Sequence, residues 1–350
     1  MPRTGPPKPA PICYITAVAR GAETSSRRRL SVRAEVAGWV VVALAGLFVV
    51  AGLYHPPYGV VGPGPAVDVR DDVVITGVPS GRPTGPYLLT SVWLSRPSAL
   101  GLAVAALRHD REVVKIADVH PAAMGPAAFD AYERSMFADS RQLAAAAAAR
   151  AAGYEPRITG RGARVLWTED GSPAASRLAA GDVVTAVDGA PVLTKEAFLA
   201  AADQGAPGRR VLSVRRGGRL VDVAVERAAG EGIGAVTTTD AMRVELPFTV
   251  TFRSRPDFGG PSAGLIYALT IADMLDARDG SRSRAVAATG SITAGGSVKP
   301  VRGVQEKAAA ARRAGADLFV VPSAEVDDAG GAGLAVRGAD TIDEAVRALG

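Results

Sequence analysis

Only one cysteine, Cys13, occurs in the 350 residues. No intrachain disulfide is open to such a chain, and neither a stapled secreted scaffold nor a cysteine-rich metal site fits it. Histidine is nearly as scarce: His55, His109 and His120 are the three, and no metal-ligand cluster is present in the sequence. No Gly-x-x-x-x-Gly-Lys-[Ser/Thr] occurs, which removes the phosphate-cradling loop of an ATPase. Aromatic residues make up 5% of the chain, and the wealth of Ala, Gly and Arg reads as coding bias rather than function.

Charge is absent from Val36 to Tyr54. About 19 residues at 1.5 Å each give a helix of roughly 28 Å, just enough to cross a hydrocarbon core. Trp39 and Tyr54 stand near its ends, where interfacial aromatics sit. Arg20, Arg27, Arg28, Arg29 and Arg33 precede it. A basic run can bind nucleic acid, but one beside an apolar span is explained more simply by orientation, with the N-terminus cytoplasmic and the remainder outside. The rivals are a buried helix of a soluble protein and a cleaved signal peptide. The latter has a shorter apolar region, roughly 7–15 residues, ending in a small-residue cleavage site, and none precedes His55-Pro56-Pro57. The expectation is therefore an uncleaved single-span anchor at 36–54, behind a disordered basic tail at 1–35.

Tyr58 to Pro65, with Gly62-Pro63-Gly64-Pro65 at its end, is Gly/Pro-rich and reads as an extended segment leaving the membrane. Strand-like runs at Asp72–Val78 and Tyr87–Leu94 follow, then helices at Ser98–Arg108 and Phe129–Ala152, all within an extracytoplasmic segment set at 55–155. From Arg164 the pattern changes. A strand (Arg164–Trp167), Gly171-Ser172-Pro173-Ala174-Ala175-Ser176, a second strand at Val183–Val187 with a turn at Asp188-Gly189, a helix capped by Thr194, and a hairpin around Gly217-Gly218 follow in order. The string Ser-Pro-Ala-Ala-Ser-Arg-Leu-Ala-Ala-Gly-Asp-Val-Val-Thr-Ala-Val-Asp-Gly resembles a PDZ domain of the bacterial protease type, set at 156–228. The resemblance implies capture of peptide ends by strand addition beside the helix Thr194–Asp203.

The chemistry concentrates between Gly259 and Lys307. Gly259-Gly260-Pro261-Ser262-Ala263-Gly264 places a serine in a glycine turn where an apolar helix begins. Free backbone N–H groups and the helix dipole favour negative charge there, so Gly260 and Ser262 are candidate oxyanion donors. A serine nucleophile needs a base, and no histidine is near. Lys307 can serve if burial keeps it neutral. Singly, each feature has a bland reading, a helix entry and a solvated helix lysine.

Together, Pro261-Ser262-Ala263-Gly264, Thr289-Gly290 and Glu306-Lys307 before an Ala-rich helix ending in Ala314-Gly315 resemble the proteolytic domain of Lon-type proteases, over 232–350. The layout of anchor, Gly-Pro-Gly-Pro segment, helical insertion, PDZ domain and protease domain is similar to the YlbL type. The resemblance implies Ser262 as nucleophile, Lys307 as general base and Thr289 as a hydrogen-bond partner of the lysine. It implies protein or peptide substrates and, since Lon-like domains often form rings, allows a homo-oligomer. Three positions depart from the family pattern. Gly259 stands where many Lon domains carry an acidic residue, upstream histidines are missing, and Arg302 replaces the first of two glycines before the lysine helix, a strained position if that glycine has positive φ. The fold class expected is α+β: one membrane helix, a PDZ domain and an α/β proteolytic domain. The function expected is ATP-independent, membrane-anchored serine endopeptidase action at the cell membrane without a cofactor or metal. A catalytically silent PDZ scaffold is the alternative.

Overall fold

The computed structural model describes residues 22–108, 111–120, 125–203, 207–276, 283–330 and 333–350. Cys13, Arg20 and His109 lie outside them, as does the tail at 1–21. The chain divides into two units, one of Met1–Pro56 with Ser98–Gly101 and one holding the remainder. In the first, α1 (Ala22–Leu53) contains a 20-residue stretch, Ala34–Leu53, long and apolar enough to cross a membrane, with none of it buried. The helix starts well ahead of the apolar run. Residues 22–35, expected as unstructured tail, hold no proline or glycine to stop it.

The second unit opens with β1 (Tyr58–Asp68), β2 (Val73–Thr76) and β3 (Tyr87–Ser95), takes up α2 (Ala99–Ala105) from Leu102 onward, and continues with β4 (Glu112–Lys115), α3 (Ile116–Val119) and the long α4 (Pro126–Ala151). The Gly-Pro-Gly-Pro segment, expected as extended chain, is part of β1. It is accommodated because β4 pairs only with Tyr58–Val61, so both prolines fall where β1 has a single partner, and the register against β3 shifts between Pro63 and Ala66.

Next come β5 (Arg157–Thr159), β6 (Ala163–Thr168), β7 (Val183–Val187), β8 (Ala190–Pro191), α5 (Lys195–Asp203), β9 (Gly208–Arg216), β10 (Arg219–Arg227) and β11 (Ala235–Thr239). They build one sheet ordered β10-β9-β7-β6-β11, with β8 on β7. Its own core includes Val165, Val184, Phe198, Leu212 and Ile233. Thr194 Oγ1 accepts the Ala197 N–H and caps α5, as the sequence pattern indicates. The sheet runs past residue 228, the expected edge of this region, because β11 pairs with β6.

The chain closes with β12 (Arg243–Glu245), β13 (Thr249–Phe252), α6 (Gly264–Leu275), β14 (Val286–Ala288), β15 (Ser291–Ile292), β16 (Val298–Lys299), α7 (Val304–Arg313), β17 (Leu318–Val321), α8 (Val326–Ala329), β18 (Ala335–Gly338) and α9 (Ile342–Leu349). The half-buried strand expected at Met242–Arg253 is two strands, interrupted around Pro247, which has no N–H to give a ladder. Sheet order here is β18-β17-β14-β3-β1-β4, with β14 parallel to both β17 and β3. Strands from 58–95 are thus built into the same sheet as the C-terminal elements. Alternation along each strand divides its residues between two cores. Tyr87, Leu89, Val286, Ala288, Leu318 and Val320 face α4, α6 and α9 on one side. Leu88, Ala287, Phe319 and Val321 face α7 on the other, where Ala308 and Ala311 allow close approach.

Candidate active site

Ser262 enters at the N-terminal end of α6, from one face of this sheet; Lys307 enters from α7, on the other. Thr289 sits where β14 runs out between them. Its N–H donates to Val320 O (3.0 Å), and its hydroxyl donates to Ser262 O at 3.4 Å. The Gly290 N–H donates to the same carbonyl at 3.0 Å, and Gly290 O accepts from Leu265 N at 3.0 Å. The serine turn is therefore fastened to the strand exit. Thr289, expected to hold the lysine amine, also pins the serine's backbone.

The turn itself depends on Gly260, whose φ of 80° lies in the left-handed region that favours glycine. Pro261 then opens a single 3-10 turn, Pro261–Ala263, that leads into α6. The Gly260 N–H donates to Glu133 O on α4 (2.9 Å). That corrects its assignment as an oxyanion donor, because an N–H already turned to a backbone carbonyl does not face a developing charge. The Ser262 N–H, in the first turn where helical N–H groups lack helical acceptors, remains the candidate.

Upstream, the loop into the turn is gripped by an ion pair that sequence periodicity does not reveal. Arg255 donates from Nε and Nη2 to the two carboxylate oxygens of Asp72, 2.8 Å each, and the Tyr267 hydroxyl donates to Asp72 at 3.1 Å. Asp72 is 1% exposed, so the two-pronged arginine offsets a carboxylate that would otherwise be very costly to bury. Burial and the Asp72 charge raise the Tyr267 phenol's affinity for its proton.

Lys307 stands in the first turn of α7, its N–H donating to Gly303 O at 3.0 Å. Gly303 caps that helix with φ of 71°. Arg302 is not among the left-handed residues, so the strain conditional on its replacing a glycine does not arise. Lys307 is 4% exposed, and burial pulls its ammonium down to about 8, against the opposing pull of Glu325, Glu306 and Glu133. Glu306 is itself buried and among the groups favouring its charge. Glu325 Oε1 accepts from the Val301 N–H (2.8 Å), while its Oε2 is buried without a hydrogen-bond partner. Glu133 and Glu325 carry no signal in the sequence, since neither sits within a recognisable motif. No group of three metal-ligating side chains occurs among the described residues.

A serine at a helix entry and a buried lysine of lowered proton affinity are the parts a serine-peptidase type of domain uses. Residues 254–344 match the family described as Lon protease (S16) C-terminal proteolytic domain, and residues 98–226 match a PDZ domain. The chain thus carries a Lon-type proteolytic domain and a PDZ domain. Among curated relatives, Lon protease 1 of Herpetosiphon aurantiacus is 33% identical over 155 residues, 42% of this chain and 18% of its own length. Lon protease 2 of Syntrophobacter fumaroxidans is 41% identical over 69 residues, 20% of this chain and 8% of its own length. The chain therefore spans less than a fifth of these relatives. A solved PDZ domain, of the SdrC-like protein of Listeria monocytogenes, is 23% identical, with a TM-score of 0.21, over 23% of this chain and 92% of that one.

Proposed function

We propose that the chain is a membrane-anchored serine endopeptidase that hydrolyses peptide bonds of protein substrates without ATP, with Ser262 as nucleophile and Lys307 as general base. The observation that carries this reading is the buried Lys307 with its proton affinity lowered to about 8. At pH 7 about one lysine in ten is then neutral, against about one in three thousand at an ordinary value near 10.5. Neutral Nζ takes the proton from Ser262 Oγ as the oxygen attacks the scissile carbonyl carbon. The oxyanion forms where the Ser262 N–H and the α6 dipole favour negative charge. The ammonium then returns its proton to the leaving amine, and water resolves the acyl-enzyme by the same base.

The PDZ domain supports peptide capture. Strand β11 ends its sheet order and follows Gly234, with α5 beside it through the Lys195 N–H donating to Thr239 Oγ1 at 3.0 Å. The outer edge of β11 is the place for an added strand. The apolar Ala34–Leu53 stretch supports anchoring, and the preceding arginines support a cytoplasmic N-terminus with both domains outside.

The test is digestion of an unfolded protein by the full chain in detergent micelles, without ATP, followed by mass spectrometry. Wild type cleaves; Ser262→Ala and Lys307→Ala do not. Cleavage surviving in both variants removes the pair from the mechanism. No cleavage by any variant, with all of them folded, favours the silent scaffold.

A further inference from the structure

One acidic side chain beside the serine turn comes from outside the segment that matches the proteolytic family. Glu133 lies near the start of α4, half-buried, and its carbonyl accepts the Gly260 N–H at 2.9 Å. A Cβ placed on Gly259 would stand 2.8 Å from Glu133 Cβ, and one on Gly260 would stand 3.1 Å from Glu133 Oε2. Glutamate and glycines are complementary: the carboxylate fills space that a side chain at 259 or 260 would need.

Helix α4 is held in that place from two sides. One turn on, Phe137 stacks on Phe258 (6.1 Å, 27°) and meets Tyr267 edge-on (6.1 Å, 70°). Tyr132, the residue before Glu133, packs edge-on against Trp167 of β6 in the PDZ sheet (5.0 Å, 88°). Asp139 accepts a hydrogen bond from Thr238 of β11. The charged groups facing Lys307 are Glu325, Glu306 on its own helix, and Glu133. Those facing Glu133 are Asp130 on its own helix and Lys307. Glu133 is thus the residue that touches the serine turn through backbone and side chain while also acting on the lysine.

We propose that Glu133 is a positioning residue, fixing the Gly259–Gly260 turn from α4 and setting a third carboxylate against Lys307, so that serine and base are held by a helix seated on the PDZ sheet. The catalytic part of this rests on the Ser262–Lys307 reading; the electrostatic part does not. Removing the charge takes away one of three anions that favour the ammonium, so the lysine loses its proton at lower pH. Removing the contact loosens the turn, which lowers kcat more than KM, roughly tenfold.

The full chain in detergent micelles, labelled with carbon-13 at lysine Cε, reads this directly. The Lys307 resonance is assigned by its loss in Lys307→Met, then followed with pH in wild type, Glu133→Gln, Glu133→Met and Glu133→Asp, beside the pH–rate profile for an unfolded protein substrate. Both uncharged variants are expected to move the Lys307 midpoint to lower pH, with Glu133→Asp keeping it near the wild-type position. An unmoved midpoint in Glu133→Gln overturns the proposal, as does an equal shift in Glu133→Asp. If neither uncharged variant folds, Glu133 is a structural residue and the proposal fails. A moved midpoint in a chain that cuts nothing sinks the peptidase reading while leaving the electrostatic role intact. Cleavage that depends on Ser262 and Lys307, with no movement of the midpoint, sinks the role of Glu133 alone.

Discussion

Asp72 and Lys307 are both buried, and their charges are treated in opposite ways. Asp72 is matched atom for atom by the two prongs of Arg255 and by the Tyr267 hydroxyl. Lys307 is set among three carboxylates that favour its charge, yet burial wins and its affinity falls to about 8. The first arrangement fixes a loop; the second leaves a proton available near neutral pH. Complete pairing makes a buried ion inert, while incomplete compensation makes it reactive.

Substitutions break this contrast at different scales. The largest effect is on turnover: Ser262→Ala or Lys307→Met lowers kcat/KM at least about a thousandfold, measured on an unfolded protein, because groups that act as a unit fail together. Stability responds in the other place. Arg255→Met strands Asp72 without its partner and costs on the order of 3 kcal/mol in denaturant unfolding. A loss of stability from Lys307→Met as large as that from Arg255→Met would erase the distinction.

The lysine also leaves a signature in pH. Its folded-state affinity lies below its unfolded value of 10.5, so between about pH 8 and 10.5 the unfolded chain binds more protons and stability rises with pH. Below about pH 8 the full desolvation cost is present. The stability of wild type minus that of Lys307→Met is expected to rise by up to about 3 kcal/mol across that window. A flat difference would mean that the lysine is not strongly perturbed. The smallest effect concerns Thr289, whose 3.4 Å bond to Ser262 O is long for a hydrogen bond. Thr289→Val should cost no more than about 1 kcal/mol of stability. A loss of turnover far beyond the stability change would show that Thr289 also holds the lysine amine, as the Lon resemblance implies.

The local grammar of the chain is legible in its residues. Thr341 Oγ1 accepts the Glu344 N–H at 3.2 Å at the start of α9, and β9 and β10 turn at Gly217-Gly218. Ser262 and Lys307 stand out because turn chemistry and helix entry are encoded within a few residues. What stays hidden in the sequence depends on residues far apart along it. Pairing of β3 with β14 joins Tyr87 to Val286, and nothing in the periodicity of either strand specifies the other. The same holds for Glu133, which approaches Gly259 only because α4 packs on α6, and for the Gly260 N–H, whose acceptor lies on that helix. Arg302 differs from its expected strain for another reason: the left-handed conformation falls on Gly303 alone of the two.

The central claim is that Lys307 is the base for Ser262. Its most direct test is the rate at which a serine-directed fluorophosphonate labels Ser262 in the full chain as pH is varied. Labelling is expected to rise with pH through a midpoint near 8, where the lysine loses its proton, and to become slow and free of that midpoint in Lys307→Met. Labelling of Ser262 at the wild-type rate in Lys307→Met, or with no midpoint near 8 in wild type, would contradict the claim.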